Sequence, residues 1–226
     1  MVRRFLIPTV SGVGEQILLD ASVSHHLLRV TGIAPGEAVE IFDGDGRCAE
    51  AVLVEVRDGL AVLKVKALKQ AAAPGDTVHL VLAQVRANTL DGVLRMATEL
   101  GVSSVQIIST ERTVAKGDKR DRWQRIVASA AAQCGRSSVP EVCPPATLDE
   151  VMNGLSGQRL VLCPGAEAVE RIGDSVALLV GPEGGLSETE MASLVEAGWT
   201  PAGLGERILR ADTAAVAAVV KYGDRT

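Results

Sequence analysis

Residues 176–185 read Val-Ala-Leu-Leu-Val-Gly-Pro-Glu-Gly-Gly. The five leading apolar residues predict a strand that is buried on both faces of a sheet. A proline and three glycines then form a tight loop, and Ser187 with Glu190 makes a capping box that opens a helix. In an open α/β sheet such a loop lies at the carboxyl end of its strand, where ligands bind, although a Gly-Pro turn before a helix is more often only a turn.

The chain around this stretch alternates between strand and helix patterns from Asp76 onward. The pattern predicts strands at 78–85, 105–108, 160–163 and 176–180, and helices at 91–100, 121–133, 147–153, 187–197 and 212–222. Such alternation indicates an α/β fold with a parallel sheet that is covered by helices on both faces.

Residues 1–70 are predicted to be small and mostly β. Asp43-Gly44-Asp45-Gly46 and Asp58-Gly59 are hairpin turn signals that separate strands at 38–42, 48–56 and 60–68. Further strands are expected at 3–8 and 16–19, and a short helix at 24–30 with Ser24 as its cap. Short strands at this spacing indicate a small barrel. Residues 70–76 are interpreted as a linker, which divides the chain into domains 1–70 and 71–226.

The composition of the 226 residues, 47% hydrophobic and 23% charged, is that of a soluble globular protein. Aromatic residues make up only 2%, which argues against a base-stacking single-strand binder. The four cysteines have no CxxC spacing and are interpreted as reduced thiols of a cytoplasmic protein, and the three histidines indicate no metal site. No apolar run is long enough to span a membrane.

The net charge of −5 is unfavourable for nucleic acid, so any RNA surface has to be local. Residues 112–136 hold seven basic residues against two aspartates, a net charge of +5. Concentrated positive charge suits a phosphate backbone. A solvated helix face explains the same charges equally well.

A second stretch, residues 204–215, reads Leu-Gly-Glu-Arg-Ile-Leu-Arg-Ala-Asp-Thr-Ala-Ala. With the loop at 181–185 it resembles the paired signatures (I/V)GPEGG(F/L)S..E and LG.RILR.ETA of the SPOUT methyltransferases, and among them the RsmE-type 16S ribosomal RNA uridine-N3 methyltransferases. Residues 97–102 resemble that family's TELGV motif, and residues 133–136 its Q.GR motif. Four departures are Ala132 for the usual Glu, Ala211 for the frequent Thr, Asp212 for the usual Glu, and Thr31-Gly32 for Leu-Arg.

The resemblance implies a C-terminal trefoil knot, an N-terminal PUA-like β-barrel, a homodimer and S-adenosylmethionine as cofactor. It also implies methylation of N3 of a uridine in 16S rRNA of the small ribosomal subunit. The residues that would hold the cofactor lie on the matching loops and at one strand end: Leu162, Gly181, Gly185, Leu204, Gly205, Ile208 and Leu209.

Methylation of uracil N3 requires loss of its proton, and the resulting negative charge spreads to O2 and O4. Arg210 is the candidate cation for those oxygens, and an ion pair with Asp212 or Glu183 is its alternative role. Glu183 would accept the proton, hold the cofactor's charged end, or only accept hydrogen bonds from loop amides. Asp212 is a third catalytic candidate, although N-capping of the last helix is the more frequent role for its position.

The candidate RNA contacts that the resemblance favours are basic residues in the first domain and in the 112–136 segment: Arg3, Arg4, Arg29, Lys116 and Arg136. Two alternatives remain open. One is a SPOUT methyltransferase that acts on another RNA. The other is a non-catalytic RNA-binding protein that retains the fold. The departures from the family pattern at Ala132, Ala211 and Asp212 motivate this alternative.

Overall fold

The computed structural model describes residues 2–69, 75–113 and 117–223, so most of the predicted linker lies outside the described residues. The contacts within the chain divide it into two compact units. Unit 1 comprises Met1–Ala73 and Ala131–Val139, and unit 2 comprises Pro74–Ala130 and Pro140–Thr226.

Unit 1 is built on a five-stranded sheet in the order β1-β3-β4-β5-β2. The strands are β1 (Arg4–Leu6), β2 (Gln16–Leu18), β3 (Ala38–Phe42), β4 (Cys48–Arg57) and β5 (Leu60–Lys69). Strands β1 and β3 are parallel, and the other neighbours are antiparallel. The β4–β5 hairpin turns at Asp58 and Gly59, which both have positive φ angles, of 51° and 81°. This is the backbone twist that a two-residue hairpin needs and that an Asp-Gly pair favours.

An apolar cluster beneath this sheet draws on all five strands, with Phe5, Ile41, Leu53 and Leu63 among its members and Ile17 packed against it. The alternation of strand side chains between the two faces brings these residues to the same side. The cluster also holds Leu27 and Ile33 from the segment between β2 and β3.

The predicted helix at 24–30 is in fact two short turns, α1 (Ala21–His25) followed by a π-helical turn at His26–Val30. Its predicted cap was wrong, because the side chain of Asp20 caps α1 by accepting a hydrogen bond from the amide of Val23 at 2.8 Å. Ser24 is buried inside the helix instead. Its hydroxyl donates to the carbonyl of Leu19 and accepts from the amide of Ala61, which ties α1 to β5.

Unit 2 contains a six-stranded sheet in the order β11-β9-β10-β6-β7-β8 in which all paired neighbours are parallel. Its strands are β6 (Thr77–Ala83), β7 (Ser104–Ser109), β8 (Glu141–Thr147), β9 (Gln158–Leu162), β10 (Ser175–Val180) and β11 (Thr200–Ala202). The predicted α/β fold with a parallel sheet is confirmed. Strands β8 and β11 were missed because both contain proline, which lowers the strand signal but is tolerated in edge strands.

The helices are α2 (Ala87–Glu99), α3 (Arg120–Cys134), α4 (Leu148–Val151), α5 (Glu188–Glu196) and α6 (Ala211–Tyr222). Strand β10 is covered on both of its faces, and residues 176–180 are at most 3% exposed. Ala177 and Leu179 join an apolar cluster with Leu194 and Trp199, and α6 packs against β10 and β6. The continuous apolar run that begins the 176–185 stretch therefore corresponds to a strand with two buried faces.

Residues 163–174 connect β9 to β10 without a helix, and we call this segment the strap. Arg171 Nη1 contacts Asp76 Oδ2 at 2.6 Å, and the amide of Ile172 donates to Gln158 Oε1 at 2.9 Å. Near the other end of the strap, the carbonyl of Glu167 accepts a hydrogen bond of 2.8 Å from the amide of Gly203. The strap is thus bound to β9 and to the residues that directly precede β6 and follow β11.

Within the described ranges, no helix combines the length and apolar character needed to cross a membrane. In the same residues, no group of three or more His, Cys, Asp or Glu side chains is placed to hold a metal ion.

Candidate active site

A pocket of about 420 Å³ opens at the carboxyl ends of β9, β10 and β11. Its lining comes from within three stretches, 162–164, 180–186 and 202–211, together with Met191 and Ala214. The carboxyl ends of parallel strands are where ligands bind in open α/β sheets. The two stretches that suggested a ligand site, 181–185 and 204–209, therefore meet in one cavity.

All seven residues predicted to hold a cofactor line this pocket: Leu162, Gly181, Gly185, Leu204, Gly205, Ile208 and Leu209. Two of the three predicted catalytic residues, Glu183 and Arg210, line it as well. Asp212 is not among the lining residues. Sequence reasoning missed Cys163, Pro164 and Arg207, which are chain neighbours of the predicted residues and have no separate signal of their own.

The glycine-rich loop is held in place by local hydrogen bonds. The amide of Gly185 donates to the carbonyl of Pro182 at 2.8 Å, which closes the turn after β10. The predicted capping box is present, since Ser187 Oγ accepts from the amide of Glu190, and Glu190 Oε2 accepts from the amide of Ser187. Glu190 is only 8% exposed, so this carboxylate belongs to the interior.

The segment 204–209 forms the opposite side of the pocket and has no regular secondary structure. In the described part of the chain, no backbone amide of this segment donates a hydrogen bond to another backbone group. Ile208 is 85% exposed, whereas Leu204 and Leu209 are half-buried. The segment thus offers apolar side chains and unpaired amide donors together, which is the usual character of a small-molecule site.

Arg210 occupies the N-cap position of α6, with φ −68° and ψ 156°. The expectation that Asp212 caps this helix was wrong, because α6 begins at Ala211 and places Asp212 inside the first turn. The Asp212 carboxylate accepts hydrogen bonds from the amide and hydroxyl of Thr213. The alternative ion pair of Arg210 with Asp212 or Glu183 is not found among the described residues.

Arg4 has an intramolecular role in unit 1. Its side chain is 10% exposed, forms an ion pair with Glu40, and lies 4.9 Å from the centroid of the Phe42 ring. Its Nη2 also approaches Cys48 Sγ and Ser137 Oγ. We therefore correct the expectation that Arg4 faces RNA, because its guanidinium is buried and already paired.

The other candidate RNA contacts differ in their surroundings. Arg3 and Arg29 are exposed, the latter in the π-helical turn. Arg136 is half-buried, and its Nη2 donates to Ser138 Oγ at 3.2 Å. Lys116 lies outside the described residues.

Comparison with known proteins connects this site to a family. A family model for the RNA methyltransferase domain matches residues 72–222. Ribosomal RNA small subunit methyltransferase E of Synechocystis sp. is 30% identical over 234 residues, which span 98% of this chain and 77% of the relative. The chain belongs to this family. Its Mycobacterium bovis member is 31% identical over 238 residues, spanning 97% of this chain and 90% of that protein.

Two solved structures, one of them a ribosomal RNA small subunit methyltransferase E, share the fold over nearly the whole chain. The Neisseria gonorrhoeae enzyme, whose crystal structure is bound to S-adenosyl methionine, matches with a TM-score of 0.92 and 29% identity, covering 97% of this chain and 96% of its own. A Legionella pneumophila methyltransferase in complex with the same cofactor matches with a TM-score of 0.91 and 27% identity, with the same coverage of both chains. The recognition of an RsmE-type SPOUT methyltransferase from its two loop signatures is confirmed.

Proposed function

We propose that this protein transfers a methyl group from S-adenosylmethionine to N3 of a uridine in 16S rRNA of the small ribosomal subunit. The observation that carries the proposal is the meeting of 181–185 and 204–210 in one pocket at the carboxyl ends of β9, β10 and β11. Family membership supports the reaction class, and the two cofactor-bound structures support the identity of the methyl donor.

The pocket suits the proposed cofactor in size and in chemistry. Its volume of about 420 Å³ falls within the range of about 300–1,000 Å³ that small-molecule sites occupy. Leu162, Leu204, Ile208 and Leu209 would contact the flat faces of the adenine, and the unpaired amides of 204–209 would donate to its ring nitrogens and to the ribose. Gly181 and Gly185 would let the opposite loop approach closely. When bound, S-adenosylmethionine supplies an electrophilic methyl group.

The chain itself would supply the proton and charge chemistry. Glu183 is the proposed acceptor of the N3 proton, because it is an exposed carboxylate on the pocket wall. Arg210 would balance the negative charge on O2 and O4 of the uracil, for which a planar guanidinium is well shaped. Asp212 would act indirectly, since a carboxylate in the first turn of α6 stabilises the positive end of the helix that carries Arg210.

The remaining parts of the proposal follow the family resemblance. We assign Arg3, Arg29, Arg136 and Lys116 as contacts to RNA phosphates, and unit 1 as a PUA-like barrel whose five strands all contribute to the same apolar cluster. Domains 1–70 and 71–226 would be the RNA-binding and methyltransferase parts. The hydrogen bond between the strap and Gly203 is consistent with a trefoil knot, in which the segment after β11 passes through the loop that the strap forms.

A homodimer in the cytoplasm is the proposed working form. The two helices α2 and α6 pack on each other, and apolar side chains remain exposed on both, with Val220 63% and Met96 38% exposed. Sedimentation equilibrium of the pure protein measures this association, and a monomer at micromolar concentration would contradict it.

Mass mapping of methylated nucleotides tests the proposed function. Small ribosomal subunits from a strain that lacks the gene would be incubated with the pure protein and S-adenosylmethionine, with transfer RNA as a parallel substrate. We expect one added methyl group on a uridine of 16S rRNA, at a position that blocks base pairing and stops primer extension. Methyl transfer to transfer RNA alone would indicate a different SPOUT specificity. Absence of cofactor binding in calorimetry would indicate a non-catalytic RNA-binding protein.

A further inference from the structure

The turn that follows β7 contacts the glycine-rich loop through Arg112. The turn is closed by the amide of Thr110, which donates to Thr113 Oγ1 at 2.9 Å. Arg112 extends from it to the loop after β10, where its Nη1 donates to the carbonyl of Gly184 at 2.8 Å and to that of Leu186 at 3.4 Å. No other donor to these two carbonyls is present in the described part of the chain.

Gly184 lies in contact with the side chain of Arg112. A Cβ atom on Gly184 would lie 3.4 Å from Cβ and 3.5 Å from Cδ of Arg112. The aliphatic part of the arginine therefore lies directly against the glycine backbone, and the guanidinium continues past it to the two carbonyls. The contact between the two loops is thus made by apolar atoms of Arg112 as well as by its hydrogen bonds.

A second contact joins the same two segments. The amide of Glu111 donates to Glu190 Oε1 at 2.8 Å, while Glu190 Oε2 accepts from the amide of Ser187 at 2.8 Å. One buried carboxylate therefore both completes the capping box of α5 and anchors the turn after β7. Together with Arg112, it holds the loop at points before and after Leu186, which lines the pocket.

We propose that Arg112 is a positioning residue for the cofactor pocket, which fixes the loop carrying Glu183 and Gly185 before the cofactor binds. The inference rests on the proposed function, because it assigns a role at the same site. Hydrogen bonds from a charged donor are stronger than neutral ones, and the two N–H groups of Arg112 Nη1 can each reach one of the two carbonyls. Without these bonds, the loop would have to become ordered when the cofactor binds, and that ordering reduces affinity.

The test compares Arg112→Ala and Arg112→Lys with Arg57→Ala. Arg57 is the control because it is an exposed arginine whose one ion pair among the described residues is with Glu55 on the same strand. Amide hydrogen exchange of residues 181–190 in the cofactor-free full-length protein measures how often the loop opens. We expect about tenfold faster exchange and about tenfold weaker binding of S-adenosylmethionine in Arg112→Ala, with kcat at saturating cofactor within about twofold of wild type. Arg112→Lys should recover part of both effects, and Arg57→Ala should show neither.

Unchanged exchange in residues 181–190 of Arg112→Ala would overturn the proposal, whatever the cofactor affinity. A lower kcat with unchanged cofactor affinity would also overturn it, since Arg112 would then contact the reacting groups. A lower melting temperature without faster exchange in residues 181–190 would show that Arg112 only stabilises the protein as a whole, and this result would also overturn the proposal. If the wild-type protein binds no S-adenosylmethionine while Arg112→Ala still loosens the loop, the proposed function fails and the positioning role stands.

Discussion

The hydroxyl of Tyr222, at the end of α6, donates a hydrogen bond of 2.7 Å to the carbonyl oxygen of Gly203, directly after β11. Lys221 Nζ donates to the same oxygen at 3.0 Å, and the amide of Gly203 is bound to the carbonyl of Glu167 in the strap. Gly203 is therefore fixed from two sides at the point where the chain enters the pocket wall.

Tyr222→Phe should lower the free energy of unfolding by about 1–2 kcal/mol. The substitution removes one of the two donors to the Gly203 carbonyl at a buried position, where Tyr222 is 2% exposed. It opens no large cavity, because phenylalanine keeps the aromatic ring. Urea denaturation measures the change. Lys221→Met is the comparison, and the double variant should lose more than the sum of the single losses, because each single variant leaves the Gly203 carbonyl one donor and only the double variant leaves it none. Additive losses would show that the shared acceptor is not what couples them.

Gly203→Ala should lower the free energy of unfolding by about 3 kcal/mol or prevent folding. A Cβ atom at this position would overlap the carbonyl oxygen of Ala166 in the strap. Gly92→Ala in α2 is the control, since its nearest neighbour is the end of the flexible Met96 side chain at 4.0 Å. That variant should gain about 0.5–1 kcal/mol from helix propensity. Equal stability of the two variants would mean that the strap moves freely away from Gly203.

Gly205→Ala should weaken S-adenosylmethionine binding by at least about fivefold in calorimetry. Gly205 has a φ of +113°, which alanine adopts only with strain, and it lines the pocket. Gly36→Ala is the matched control. Gly36 has a similar φ of +93°, a Cβ atom added there would meet no atom within 4 Å, and the residue lies in unit 1 and is not among the pocket-lining residues. Both variants should lose similar stability, but only the first should lose affinity. An equal loss of affinity in both would attribute the effect to general destabilisation.

Arg210→Ala should lower kcat for methyl transfer about 10²–10³-fold while the cofactor affinity changes little. The reason is the loss of the cation proposed to face O2 and O4 of the uracil. Arg207→Ala is the matched control, as it removes another arginine from the lining of the same pocket and should reduce kcat less than about tenfold. If both variants lose activity equally, the positive charge of the pocket as a whole would explain catalysis better than Arg210 alone.

Glu40→Gln should lower the free energy of unfolding by about 3 kcal/mol at pH 7, with a loss that shrinks as the pH falls. Burial alone would raise the pKa of Glu40, but the hydrogen bonds from Lys69 and Cys48 and the charges of Arg4 and Lys69 outweigh it and hold the pKa below its ordinary value of 4.5. The stabilisation is thus complete above pH 4.5 and is lost as the pH falls through the lowered value in the folded protein.

Urea titrations between pH 3 and pH 7 measure this difference. Glu55→Gln serves as the control, because its ion pair with Arg57 is exposed and should contribute less than about 1 kcal/mol at any pH. A constant difference between wild type and Glu40→Gln over the whole range would show that the charge of Glu40 does not stabilise the fold.

The strands and helices with strong periodicity could be predicted from the sequence, and β3 was obtained with its observed limits of Ala38–Phe42. The pocket-lining residues were placed by resemblance, since leucine and glycine carry no chemical signature of cofactor binding. The buried role of Arg4 was not predictable, because Glu40 and Ser137 are distant in sequence. Arg112 was missed for a related reason: its partners are backbone carbonyls 72 and 74 residues away, and a carbonyl is present at every position.

The prolines that weakened the strand signal of β8 and β11 also affect the tendency of the protein to aggregate at high concentration. These are the two outer strands of the six-stranded sheet, and they carry Pro144, Pro145 and Pro201. Proline has no amide hydrogen, so neither border presents an unbroken row of donors to a neighbouring molecule. Edge-to-edge pairing of the sheets of separate molecules, which is the first step of fibril formation, is therefore disfavoured.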